Sequence, residues 1–274
     1  MRFLLIFFLI VTFFLLIGCE QKNYTTSVFV QPEDIVKEKN IISNKENETT
    51  TITKEKKDFL ENKESFNINN KIENKKFEIP DKIEWPVFFA QQAPFANWDE
   101  VHEETCEEAS MIMVAKYFKS QPLTEAIMEE ELQKILKWEK EQGYKVDVTA
   151  EEVVEILKDY FQLEAQLSEE VTVDKIKYEL SKGNLIIIPA AGRKLKNPNF
   201  KQPGPIYHML VIKGYNNKEF ITNDPGTRKG NSYKYSYNIL LNSIHNWNHE
   251  LAKDGMTEEE IIQGKKLIII VKKS

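Results

Sequence analysis

Hydrophobic and polar positions divide the chain into three stretches. Positions 3–17 are apolar apart from Thr12. Positions 20–80 are rich in Lys, Glu, Asn and Thr, lack glycine, and scatter their apolar residues without period. From about position 83 the pattern becomes regular. Helical spacing predicts four helices, over 105–118, 124–142, 149–161 and 172–182. Val153, Ile156, Leu157 and Tyr160 share one face of the third, and Gly183 is a suitable stop for the fourth. Strand patterns then take over. Positions 185–191 form a continuous apolar run, 206–215 alternate more cleanly, and 219–223 follow a polar turn at Asn216-Asn217. Further strands are expected at 232–235 and 267–271, with a short helix at 237–248.

Helices first and strands afterwards predict an α+β domain, with N-terminal helices packed on an antiparallel sheet. The Gly- and Pro-containing loop 192–205, which carries Arg193, Lys194 and Lys196, is unusually long and is expected to line a cleft. No internal repeat is visible.

The first two stretches are expected to lie outside this domain. Arg2, the apolar run and Leu16-Ile17-Gly18-Cys19 resemble a bacterial lipoprotein signal with its lipobox. That resemblance implies cleavage before Cys19 and lipidation of Cys19. About 15 helical residues span roughly 22 Å, short of a hydrocarbon core of roughly 30 Å, so a plain transmembrane anchor fits less well. Segment 20–82 buries too little apolar surface to offset chain entropy and reads as a disordered tether. The folded part, 83–274, is then expected to be a monomer held at a membrane by lipid and facing away from the cytoplasm. The formal net charge of −6 over 274 residues is mild and gives no sign of a nucleic-acid partner.

The two cysteines, Cys19 and Cys106, occur in unlike contexts and predict no disulfide framework. Thr105-Cys106-Glu107-Glu108 fits a capping box, which makes Cys106 the first residue of a largely buried helix. The helix dipole there favours thiolate, whereas Glu103, Glu104, Glu107 and Glu108 oppose it, so an imidazolium partner would be needed. The bland alternative is a small buried hydrophobe. His208 lies in the strand pattern, on one face with Ile206, Leu210 and Ile212, and needs a partner. His102, His245 and His249 read as surface or helix-packing histidines. His245 and His249 are spaced i, i+4 on the late helix, but no HExxH pattern or nearby cysteine supports zinc. Asp224, in Asn223-Asp224-Pro225-Gly226, could meet His208 across a hairpin. An odd-length loop near Asn216 would put both on one face, and a strict two-residue turn would put them on opposite faces. Otherwise Asp224 is simply a turn residue.

A nucleophile at a helix start, a histidine base and an orienting carboxylate are the parts of a Cys-His-Asp triad. An amide from Gln91 or Gln92, with the Cys106 backbone N–H, would complete an oxyanion hole. Gln92-Ala93-Pro94-Phe95-Ala96-Asn97-Trp98, Cys106-Glu107-Glu108-Ala109-Ser110, the segment from Tyr207 to Tyr215, and Asn223-Asp224-Pro225-Gly226-Thr227 together resemble the bacteriocin-processing (double-glycine) peptidase-like family. The resemblance implies a papain-like cysteine peptidase fold. It assigns Cys106 as nucleophile, His208 as base, Asp224 as orienting residue and Gln92, which directly precedes Ala-Pro-Phe, as oxyanion donor. It implies no cofactor and no metal. Double-glycine leader peptides are not carried over as substrate, because no transporter segments accompany this domain. A peptide or protein substrate is expected. A cell-wall amidase or acyl transferase with the same triad, and a non-catalytic peptide-binding module, remain open.

Overall fold

The structure is a computed structural model that describes residues 78–252 and 255–272. The signal-like segment, Cys19 and the tether up to residue 77 lie outside the described residues. Among the described residues, no helix is long and apolar enough to cross a membrane.

A two-residue strand, β1 (Ile83–Glu84), leads to a 3₁₀ turn (His102–Glu104) and the helix α1 (Cys106–Phe118). Then come α2 (Glu125–Gln142), α3 (Ala150–Asp159), β2 (Ala165–Ser168), α4 (Val173–Ser181) and β3 (Leu185–Ala191). The chain continues through β4 (Tyr207–Tyr215), β5 (Glu219–Asn223), β6 (Tyr233–Ser236), α5 (Tyr237–Ser243), α6 (Glu258–Ile261) and β7 (Ile268–Val271). All strand pairs are antiparallel, in the order β2-β7-β3-β4-β5-β6, with β1 beside the far end of β4. The domain is thus α+β, helices on an antiparallel sheet, as the order of patterns predicts.

Local chemistry explains most helix ends. Thr124, Thr149 and Thr172 cap α2, α3 and α4 by accepting from Ile127, Glu152 and Lys175 N–H. Thr149 and Glu152 form a full capping box. Gly143 closes α2 in the left-handed region, where a side chain would be strained. Thr105, predicted to cap α1 with Glu108, makes no cap hydrogen bond. Its hydroxyl donates to Gln92 O and His102 O, and Glu108 turns into the interior. Every residue of α1 from 106 to 115 is buried, so this helix is the hydrophobic centre of its layer.

The central strands β3, β4 and β7 are buried along their whole length, because both sheet faces are covered. The alternation expected over 206–215 therefore does not appear as alternating exposure. Fully burying Leu185, Ile186, Ile187 and Ile188 contributes about 1.5–3 kcal/mol for each side chain. Ser110 Oγ donates to Met209 O, tying α1 directly to β4.

The late helix is shorter than predicted. It ends at Ser243, where Ile244 turns to an extended conformation and bridges to Ala190. His245 and His249 therefore follow the helix and do not share a helical face. His245 bonds Gly264 O and His249 bonds Glu152.

Candidate active site

The β4–β5 hairpin settles the facing of His208 and Asp224. Asn216 N–H donates to Glu219 O across a two-residue turn, and the pairs Tyr215↔Phe220 and Gly214↔Ile221 continue from it. An unbroken ladder from that turn would put His208 and Asp224 on opposite faces. Between Gly214 and Ile212 the register shifts by one, leaving Lys213 as a bulged residue. Beyond it Val211 pairs with Asn223, so Asp224 falls opposite Leu210, on the same face as His208. His208 Nε2 meets Asp224 Oδ1 at 2.7 Å.

Asp224 is fully buried and every oxygen is used. Oδ1 also accepts from Gly226 N–H at 3.0 Å, and Oδ2 accepts from Asn197 Nδ2 at 3.1 Å and from the Tyr235 hydroxyl at 2.5 Å. Burial alone would raise its pKa. The charge and hydrogen bond of His208, with the Tyr235 and Gly226 bonds, outweigh that and hold it below the usual carboxylate value. Burial, then the charge of Asp224, pushes Tyr235 up. With Nε2–H committed to an ionised carboxylate, Nδ1 is the nitrogen left to accept a proton. The Phe200 ring packs edge-on against the imidazole, 5.2 Å between centroids.

The Asn223-Asp224-Pro225-Gly226 motif works as a unit. Asn223 Nδ2 donates to Val87 O and Phe88 O, and Pro225 O accepts from Gln92 N–H at 3.0 Å. The strand end thereby fixes the loop that carries Gln92. At Gly226 a Cβ would stand 2.8 Å from His208 Cε1, so glycine is what leaves room for the ring.

Across the cleft, Cys106 begins α1, as predicted. Among the described residues its backbone N–H donates to no carbonyl. Its thiol donates to Glu107 Oε2 at 2.9 Å, and among the described residues no hydrogen bond joins it to His208. Burial, then the charge and hydrogen bond of Glu107, then Glu108 and Asp147, push the thiol well above its ordinary value. The helix dipole is outweighed, and this setting favours the neutral thiol of Cys106.

The glutamates of α1 are buried, where a solvated charge would be the ordinary expectation. Glu107 Oε1 and both oxygens of Glu108 have no donor. Glu108 faces Glu139 of α2, whose carboxyl is pushed up to about 8, first by burial. No basic group is among those that shift them, so burial favours the protonated carboxyl in each.

Gln91 and Gln92 separate clearly. Gln92 lines the cleft, and Gln91 points away, bonding Pro94 O. Gln92 Nε2 donates to His102 O and Glu103 O at 2.9 and 3.0 Å. The two carbonyls fix the orientation of its amide, because a flip would set oxygen against oxygen. His102, expected at the surface or in helix packing, is buried and sits between Asp99 (2.7 Å) and Glu129 (2.9 Å). Among the described residues no cluster of metal-ligand type occurs.

Cys106, Gln92 and His208 line one cleft of about 720 Å³. Loop positions 199–205 form part of its wall, as the length of that loop suggests. Sequence patterns did not single out Asn197, Phe200 or Tyr235. Asn197 and Phe200 lie in the flagged loop and Tyr235 in an expected strand, but nothing in their local pattern shows that they converge on Asp224 and His208.

No curated protein matches the chain. A protein of Bacillus anthracis assigned as a C39-like peptidase has a solved structure that is 14% identical. The similarity covers 71% of this chain and 99% of that one, with a TM-score of 0.45. The model of the Peptidase_C39 like family matches residues 87–251. That span is more than half of the chain and includes Gln92, Cys106, His208 and Asp224, so the chain belongs to the Peptidase_C39 like family.

Proposed function

We propose that this domain is a cysteine peptidase, with Cys106 as nucleophile, His208 as general base and Asp224 as the residue that orients the imidazole. The observation that carries this is the 2.7 Å bond from His208 Nε2 to Asp224, in the cleft that Cys106 also lines. It leaves Nδ1 as the accepting nitrogen. In the proposed reaction the thiol swings from Glu107 to His208 and gives up its proton as sulfur attacks the peptide carbonyl. The oxyanion is met by the Cys106 backbone N–H, and by Gln92 once one of its N–H groups leaves the His102 and Glu103 carbonyls. The C–N bond then breaks, His208 returns the proton to the departing amine, and water hydrolyses the thioester.

Because the resting thiol is neutral, proton transfer accompanies attack instead of preceding it as a stored thiolate–imidazolium pair. The lipobox-like Leu16 to Cys19 and the polar stretch after it support action outside the cytoplasm, tethered by lipid at Cys19. The test is incubation of the full chain with a peptide library, beside Cys106→Ala. Cleavage by the native chain and none by the variant is the expected result. Equal cleavage by both would remove Cys106 from the mechanism, and no cleavage by either would favour a binding module.

A further inference from the structure

We propose that the Cys106 side of the cleft contains a subsite for a cationic group of a peptide, formed by Asp147 and Glu104 and walled by Trp247. This deepens the peptidase reading and rests on it for the identity of the ligand as a peptide.

Asp147 follows α2, lines the cleft and is only partly exposed. Among the described residues its carboxylate takes part in no hydrogen bond or ion pair. Burial, then repulsion from Glu104, raises its carboxyl to about 6, with only His249 acting the other way. The His249 ring is itself bound to Glu152 at 2.8 Å. Glu104 also lines the cleft, and burial followed by Glu103 raises its pKa. Neither cleft cation neutralises this corner. Lys201 is paired with Glu103 at 3.3 Å, and Arg228 is not among the charges that act on Asp147. Behind it, no cation is among the groups that shift Glu107 and Glu108.

Two further groups mark the place as one built for a guest. Trp247 is 9% exposed and lines the cleft, and among the described residues its indole N–H has no partner, which leaves it open to a peptide carbonyl. Its ring offers a face to a cation. Gln92, 3% exposed, leaves Oε1 without a donor. A donor, an aromatic wall and two unneutralised carboxylates suit a peptide that carries an ammonium or guanidinium group. Such a guest would also supply the positive charge that the nucleophile lacks. Asp147 is one of the charges that hold the Cys106 thiol up, so neutralising it favours sulfur attack.

The test measures binding to the full-chain Cys106→Ala variant, which needs no turnover. The probes are peptides identical except for Lys or norleucine at one position, each with a free or acetylated amino terminus. The expected result is about tenfold tighter binding of a cationic peptide than of its neutral partner, weakening as salt rises. Preference for Lys in the acetylated pair assigns the site to a side chain, and preference for the free terminus assigns it to the α-ammonium. Asp147→Asn in the same background should reduce the ratio to near unity. Glu104→Gln, at an exposed position, should reduce it in part even if the first variant misfolds. Equal binding of all four peptides, or a preference that both substitutions leave intact, overturns the subsite. If peptides bind with the expected preference and the native chain cleaves none, the peptidase reading fails and the subsite stands.

Discussion

The two sides of the cleft obey opposite rules. On the sheet side, Asp224 is buried with a donor at every oxygen, and His208 is held by that carboxylate and by Phe200. On the helix side, Cys106 sits among buried glutamates that lack donors, and its thiol is bound to one of them. His208, the proposed base, is pre-organised, and Cys106, the proposed nucleophile, is not. The contrast suggests a division of labour: rigidity where a ring must keep one tautomer, and unmet charge where a substrate arrives.

The largest expected effect comes from breaking the satisfied side. Asp224→Asn removes the charge that stabilises the imidazolium and puts an amide where four donors converge. Peptidase kcat should fall by about 10³–10⁴, read from initial rates on a cleaved peptide. A fall of less than tenfold would mean that the sheet side is not the base.

The next effect belongs to the unsatisfied side and appears as stability. Glu139 is raised in the fold to about 8. For a carboxyl raised on folding, the stabilisation is fully present below its unfolded value near 4.5 and is lost as pH rises through about 8. Glu107 and Glu108 are raised as well and act in the same sense, whereas Asp224 is lowered and loses its contribution in acid. Denaturant unfolding should therefore show maximal stability in mildly acidic solution. From there to about pH 9 it should fall by about 2–4 kcal/mol. Glu139→Gln should flatten that alkaline decline, and an unchanged slope would place the titration elsewhere.

The smallest effect sharpens the comparison at the nucleophile itself. Glu107→Gln removes the nearest negative charge on Cys106 and offers sulfur an amide donor. Alkylation of Cys106 by iodoacetamide at pH 7 should speed up by about tenfold, with the pH–rate profile shifted toward acid. A slower reaction would make Glu107 an activator of the thiol instead of a restraint.

Much of the frame was legible in the periodicity. The helix that carries Val153 and Leu157, the apolar run at 185–191 and the strand around His208 all follow from apolar spacing. β2, Ala165–Ser168, was not, because its four mixed residues have too little pattern. The cleft residues were legible as types in order, but their environment was not. Glutamates after a cysteine read as surface charge, and only packing shows that Glu107 and Glu108 face inward. Thr105 fits a cap by spacing, yet its hydroxyl serves two carbonyls instead. The facing of His208 and Asp224 depended on a bulge at Lys213, which leaves no mark in the hydrophobic pattern.

That bulge constrains how the gene for such a domain can change length. With the bulge kept, loss or gain of a single codon between those for His208 and Asp224 would reverse the sheet face of one partner while leaving both residues encoded. Changes by two codons would preserve the facing. Related chains that keep the pair and the bulge should therefore differ across this hairpin by even numbers of residues, and those that lose the bulge by odd numbers.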